Sequence, residues 1–225
     1  MAGIMYGIGV GPGDPELMTI KAVKRIRDLK VIAIPHKDKD ACTSYQIARQ
    51  AVPEIEEKEC LCLHMPMTKD QEALRKSHEA AADAVIARLE LGEDVGFLTL
   101  GDVSIYSTFA FLAERVVKEG YEIHLVSGIP SFCAAAARLD LSLVTGSEEL
   151  HIIPASYQIS DALKLPGVKV LMKAGRQIEA VKEEIKKSGL SAVMVENCGM
   201  EEERIYKSLD EIPETAGYYS LLIVR

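Results

Sequence analysis

Met5-Tyr-Gly-Ile-Gly-Val-Gly-Pro-Gly-Asp-Pro15 decides how this chain is read. An apolar run over residues 4–10 ends in a loop with glycines at 7, 9, 11 and 13 and prolines at 12 and 15. A helical pattern follows at once. Asp14 is a good N-cap and Pro15 suits a first helical position, so the stretch predicts a strand, a glycine-rich turn and a helix over 15–29. In an α/β protein such a turn is where a ligand meets backbone.

Outward from that turn, strands and helices alternate. Residues 31–34, 60–63, 95–100 and 121–126 read as strands, and 44–51, 69–91, 104–118 and 131–139 as helices. Leu74, His78, Ala81, Val85 and Leu89 recur at spacings of three and four, and Gly92 stops that helix. Alternation of this kind implies a mostly parallel sheet covered by helices. The segment 140–149 is a plausible boundary, which gives an N-terminal α/β domain over 1–141 and a smaller C-terminal α/β domain over 142–225. Beyond it, 150–153, 168–173, 192–196, 203–208 and 218–224 are strand candidates, with helices at 159–163 and 178–187. Segments 203–208 and 217–225 are expected to pair as antiparallel neighbours in a mixed sheet. A cleft between two such domains is a default ligand site.

The chain has 225 residues, 27% of them charged, and a net charge of −8. That balance argues against a general nucleic-acid binder, because phosphate neutralisation needs a basic face. No apolar run reaches the ~18 residues of a membrane span. No basic region precedes an apolar one at the N-terminus, so no signal peptide is expected. Cys42, Cys60, Cys62, Cys133 and Cys198 form no Cys-x-x-Cys. A reducing cytoplasm fits them. Cys60-Leu-Cys62 with His64 invites a metal reading, but a period of two reads instead as a strand whose thiols pack. No protein metal site is expected.

The glycine loop fits two nucleotide motifs badly. A Walker loop ends in Gly-Lys-Ser/Thr, and here Gly13 is followed by Asp14-Pro15. A dinucleotide fold places an acid at the end of the next strand, which here closes Ile34-Pro-His36. The two prolines also remove backbone donors that a phosphate would use. Glycines that merely permit a tight turn are the plainer alternative. A second glycine–acid turn, Phe97-Leu-Thr-Leu-Gly-Asp-Val-Ser-Ile-Tyr-Ser-Thr108, ends another strand. There Ser104 can cap the following helix and Asp102 can be a turn residue.

Gly9-Val-Gly-Pro-Gly-Asp-Pro15, Leu98-Thr-Leu-Gly-Asp102 and Val126-Ser-Gly-Ile-Pro-Ser-Phe-Cys-Ala-Ala-Ala136 together resemble the tetrapyrrole methylases. That family transfers a methyl group from S-adenosylmethionine to a corrin or sirohaem precursor. Leu63-His-Met-Pro-Met-Thr-Lys-Asp70 and the run 131–139 are similar to one branch, which methylates C20 of precorrin-2 or cobalt-factor II. Three departures stand out: Val103 and Ser127 replace usual prolines, and Pro130 replaces a serine or threonine.

The resemblance implies a fold of two α/β domains with a cleft between them. It implies S-adenosylmethionine contacts at Leu100, Gly101, Asp102, Ile105, Tyr106, Pro130, Ser131, Met172 and Lys173. It places Gly11, Pro12, Gly13 and Asp14 toward the tetrapyrrole, with Lys37, Lys69 and Arg176 as candidate partners for its carboxylates. A homodimer is also implied. Should a proton leave C20 after transfer, Asp14, Asp102, Tyr106 and His36 are the conceivable bases, and the sequence does not choose among them. Positioning in a dry cleft is expected to supply most of the rate.

Overall fold

Residues 2–66, 68, 70–155 and 159–225 are described by a computed structural model. The chain divides into two compact units, Met1–Pro130 and Ser131–Arg225.

In the first unit the apolar opening run forms β1 (Met5–Gly9), an interior strand of the sheet. The others are β2 (Val31–Ile34), β3 (Glu59–Cys62), β4 (Val95–Thr99) and β5 (Ile123–Val126), ordered β3-β2-β4-β1-β5. Every pairing is parallel. Both faces are therefore covered, and the central strands are continuously apolar. On one face Tyr6, Ile8 and Leu98 meet Ala22 and Ile26 of α1 (Ile20–Asp28) and Tyr45, Ile47 and Ala48 of α2 (Thr43–Ala51). On the other, Met5, Val95 and Phe97 meet Ala81, Val85 and Leu89 of α3 (Gln71–Glu90) and Phe109, Leu112 and Val116 of α4 (Phe109–Lys118). Gly7 makes room for this second layer, since a Cβ there would stand 2.7 Å from Val103 Cγ2 and 2.8 Å from the Phe109 ring.

Two helices start later than the sequence predicts. Asp14 does accept from the Glu16 N–H, but it caps only a 3-10 turn, Pro15–Leu17. The α-helix begins at Ile20, where Thr19 accepts from the Ala22 N–H at 3.2 Å. Thr19 also donates to the Ser127 carbonyl at 3.1 Å, which fixes the break. Likewise α4 starts at Phe109 and not at 104: Tyr106 sits at φ 49°, outside helical space, and Ser107 Oγ accepts from the Phe109 N–H at 3.1 Å. Ser104 therefore caps no helix. Asp70 opens α3 by accepting from the N–H groups of Glu72 and Ala73.

The second unit carries α5 (Ser131–Arg138), β6 (Leu150–Pro154), the single turn α6 (Ser160–Leu163), β7 (Val168–Met172), α7 (Ile178–Lys187), β8 (Ala192–Glu196), β9 (Arg204–Tyr206) and β10 (Ser220–Val224). Its sheet is mixed, ordered β6-β7-β10-β8-β9, with β6 and β7 parallel and the other pairs antiparallel. The expected pairing of 203–208 with the C-terminal segment does not occur, because β8 lies between β9 and β10. Residues 192–195 are apolar on both sides and take the interior position, while the three-residue β9 is left at the edge. Leu171, Met194 and Leu222 pack on Ile178, Val181 and Ile185 of α7. α5 packs on β10 and so groups with the second unit.

Candidate functional site

Three loops converge at the carboxyl edge of the parallel sheet, where open α/β sheets place their ligands. They follow β1, β4 and β5. The first two are joined directly: the Gly11 N–H donates to the Gly101 carbonyl at 3.2 Å and the Gly101 N–H to the Gly11 carbonyl at 2.7 Å. Both glycines have positive φ, 79° and 73°. Gly128 of the third loop is packed against the other two. A Cβ at 128 would stand 2.1 Å from the Gly101 carbonyl oxygen and 2.8 Å from Gly9 C; one at Gly9 would stand 2.6 Å from both Gly101 O and Gly128 N. Only glycine lets three backbones approach this closely.

Asp102 fastens the cluster electrostatically. Its Oδ1 accepts from the Ser104 N–H at 2.8 Å and from the Ser104 hydroxyl at 2.5 Å, and its Oδ2 accepts from the Gly128 N–H at 2.9 Å. Burial alone would raise the pKa of this carboxyl. The bonds from Ser104 side chain and backbone, and then from Gly128, outweigh burial and hold it below the usual carboxylate range. Asp102 is thus an ionised staple between the β4 and β5 loops. Thr99 Oγ1 and Ser107 Oγ, 3.0 Å apart, close the same turn from behind.

Around the staple lie other residues that the sequence pointed to. Leu100 and Ile105 are half-buried and Tyr106 is 47% exposed, so together they present an apolar and hydroxyl surface. Gly101 is buried and Pro130 half-buried. Gly11, Pro12 and Gly13 are buried and Asp14 half-buried. Residues 7–15, 97–108 and 126–130 contain no lysine or arginine, and their charged side chains are Asp14 and Asp102. Such a lip disfavours a polyphosphate. It is compatible with a neutral nucleoside and with a cationic sulfonium.

In the second unit, Ser131 opens α5, and Met172 ends β7 with its carbonyl accepting from the Ala155 N–H at 2.7 Å. Lys173 follows in left-handed backbone, φ 61°, and burial lowers its pKa. Just beyond, Gly175 lies against Gly217: a Cβ at 175 would stand 1.8 Å from Gly217 O. The adjacent Arg176 and Tyr218 are exposed, and burial and then Tyr219 raise the Tyr218 pKa against the pull of Arg176. Lys37 is exposed, and Lys69 lies outside the described residues.

Local contacts hold Asp14 and His36, two of the conceivable bases. Asp14 Oδ1 accepts from the Glu16 N–H at 2.8 Å, and His36 Nδ1 lies 2.7 Å from the Asp38 carbonyl oxygen. Among the described residues, no three His, Cys, Asp or Glu side chains group to hold a metal. Cys42 and Cys198 are buried as packing thiols, but Cys62 and Cys133 are exposed. The role of Gly128 as the third backbone and the anchor from Thr19 to residue 127 were not read from the sequence. The glycine lies inside a quoted motif, whereas the Thr19 contact spans 108 positions and leaves no local signal.

The family model of the tetrapyrrole (corrin/porphyrin) methylases matches residues 5–213. Over 225 aligned residues the chain is 32% identical to the "Probable cobalt-precorrin-2 C(20)-methyltransferase" of Methanocaldococcus jannaschii, covering 98% of this chain and 95% of that one. It is 29% identical to the cobalt-precorrin-2 C(20)-methyltransferase of Salmonella typhimurium, covering 100% and 97%. The fold is shared with a crystal structure of a cobalt precorrin-4 methyltransferase at a TM-score of 0.78, 19% identity and coverage of 98% and 94%. It is also shared with the uroporphyrin-III C-methyltransferase of Thermus thermophilus at 0.72, 21% identity and coverage of 100% and 92%. With the match spanning nearly its whole length, the chain belongs to the tetrapyrrole (corrin/porphyrin) methylases.

Proposed function

We propose that this enzyme transfers a methyl group from S-adenosylmethionine to C20 of a precorrin-2-type tetrapyrrole, a step of cobalamin biosynthesis. The observation that carries the reading is the cation-free edge built by Gly9, Gly11, Gly101 and Gly128 and stapled by Asp102, in a chain whose relatives at 29–32% identity are named C(20)-methyltransferases. Relatives named C(11)-methyltransferases are more distant, at 23–24% identity.

Within the first unit, Leu100, Gly101, Asp102, Ile105, Tyr106 and Pro130 are the residues we assign to the cofactor. The bound S-adenosylmethionine supplies an electrophilic sulfonium methyl. The protein's own part is placement. The glycine contacts hold the main chain of 100–102 rigid, Leu100 and Ile105 exclude water, and the fixed negative charge of Asp102 favours a cation beside it. Asp102 is a poor base, because its carboxylate is already committed to Ser104 and Gly128. Ser131, Met172 and Lys173 of the second unit are assigned to the same cofactor, and Gly11, Pro12, Gly13 and Asp14 to the macrocycle. Lys37, Lys69 and Arg176 are assigned to its carboxylates. We further propose a cytoplasmic homodimer, which sedimentation would read as twice the chain mass.

The deciding experiment is anoxic incubation with methyl-13C S-adenosylmethionine and either precorrin-2 or cobalt-factor II. NMR then locates the new carbon. Label at C20 is expected, and the better substrate assigns the metal state. Label at another ring carbon refutes the C20 assignment, and calorimetric cofactor binding without turnover on either substrate refutes the enzymatic one.

A further inference from the structure

Cys60 and Cys62 take alternate positions on β3, so the strand's period of two places both side chains on one face. Their sulfurs lie 3.9 Å apart, thiol against thiol. β3 is an edge strand held on one side only, through the partners Ile32↔Cys60 and Ile34↔Cys62 of β2. β2 and β4 separate it from β1, so the pair stands apart from the glycine cluster. Cys62 is exposed and Cys60 half-buried. Cys60 packs at the margin of the core and Cys62 faces solvent, and neither thiol is assigned a part in methyl transfer.

Two fates are open to such a pair, and geometry separates them. A disulfide needs its Cβ atoms ~3.8 Å apart. Alternate residues of an extended strand are ~6.6 Å apart with parallel Cα–Cβ bonds. A Cys60–Cys62 bridge would therefore buckle β3 and break its register with β2. A chelate asks only that the sulfurs converge. Two metal–thiolate bonds of ~2.3 Å span up to ~4.6 Å with the ion midway, and a separation like the present one corresponds to a bent bite of about 116°. Rotation of the exposed Cys62 about χ1 opens that bite without moving the backbone.

The charge of Lys39 reaches the Cys60 sulfur. The donor set narrows the ion. Tetrahedral zinc and iron–sulfur clusters want four protein donors, and no group of three exists here among the described residues. Monovalent copper accepts two sulfurs, and thiolates select it by softness.

We propose that Cys60 and Cys62 form a two-thiolate site for Cu(I). Two S–H bonds break, two S–Cu bonds form, two protons pass to solvent, and copper remains monovalent, so no electron acceptor is required. Lys39 offsets part of the resulting negative charge.

The test uses the full chain, reduced and anoxic, titrated with Cu(I) against the chromogenic chelator bicinchoninate. One tight equivalent per chain, two protons released and a two-sulfur shell at the copper absorption edge are expected. Cys60→Ser and Cys62→Ser should each lower affinity at least 100-fold, whereas Cys133→Ser, at an exposed solitary thiol, should not. Cys62 is at the surface, so Cys62→Ser keeps the fold and decides the matter alone if Cys60→Ser does not fold. Three results overturn the proposal: Cys62→Ser holding copper like the wild type, a shell without two sulfurs, or no binding above the competitor. Peroxide converting the pair to a disulfide with β3 intact, as read by peptide mapping and amide exchange, would overturn the geometric argument. None of these readouts depends on methyl transfer.

Discussion

Asp102→Asn tests the central device of the site. The carboxylate receives three hydrogen bonds, two from Ser104 at Oδ1 and one from the Gly128 N–H at Oδ2. Asparagine keeps one acceptor oxygen. If that oxygen stays with Ser104, an NH2 group faces the buried Gly128 N–H, donor against donor. Leaving one buried donor unpaired costs ~1–3 kcal/mol, and the surviving bonds lose their charge assistance. A total loss of ~3 kcal/mol is expected, and with an m-value of ~1–3 kcal/mol/M the urea midpoint should fall by ~1–3 M. By amide exchange, protection at Gly128 should drop ~100-fold, since ~1.4 kcal/mol is a factor of ten. The stability gap also depends on pH. The folded carboxyl titrates below its ordinary value of 3.8, so its contribution is complete above the unfolded pKa and disappears as pH falls through the folded one. The gap between wild type and Asp102→Asn should therefore be flat near neutrality and close in acid. A variant within ~0.5 kcal/mol of wild type, with Gly128 still protected, would show that Asp102 is not the staple.

Four further outcomes follow from the structure. Gly128→Ala drives a Cβ to 2.1 Å from Gly101 O with only backbone to yield, so a loss at the upper end of ~1–3 kcal/mol is expected in urea unfolding. Gly101→Ala, at φ 73°, should cost ~1–2 kcal/mol from left-handed backbone. Thr19→Val removes both the α1 cap and the bond to the Ser127 carbonyl, and should lower stability by ~1–2 kcal/mol with faster amide exchange at Ala22. Burial holds the Lys173 pKa below 10.5 in the folded chain, so its charge opposes folding while both states are protonated; that opposition fades as pH rises from the folded toward the unfolded pKa. The stability of wild type relative to Lys173→Met should accordingly improve in the alkaline range, and a pH-independent difference would refute the burial effect.

What the sequence disclosed and what it concealed divide along the range of the interactions. The strand at residues 5–9 and the helix ending at Gly92 were legible because periodicity and capping act within a few positions. The start of α4 was not, because Asp102 spends its carboxylate on Ser104 and Gly128 and Tyr106 turns left-handed, so a serine that looks like a cap is drawn into a turn. The order β10-β8-β9 was equally hidden: hydrophobic patterning marks strands, but which one takes the interior depends on apolarity on both faces at 192–195. The glycine loop shows the same division at the site itself. Its missing lysine and its prolines argued against phosphate from the sequence alone, yet they did not say what the glycines are for. The close approaches among Gly9, Gly101 and Gly128 supply that answer, since any side chain at these points would drive apart the backbones that Asp102 ties together. A motif of glycines and one acid is thus a single mechanical unit, and its parts should fail together: Gly128→Ala and Asp102→Asn combined should cost less than the sum of the two, because each alone already opens the contact between the β4 and β5 loops. Strict additivity in that double mutant would mean that the glycine packing and the carboxylate staple act independently.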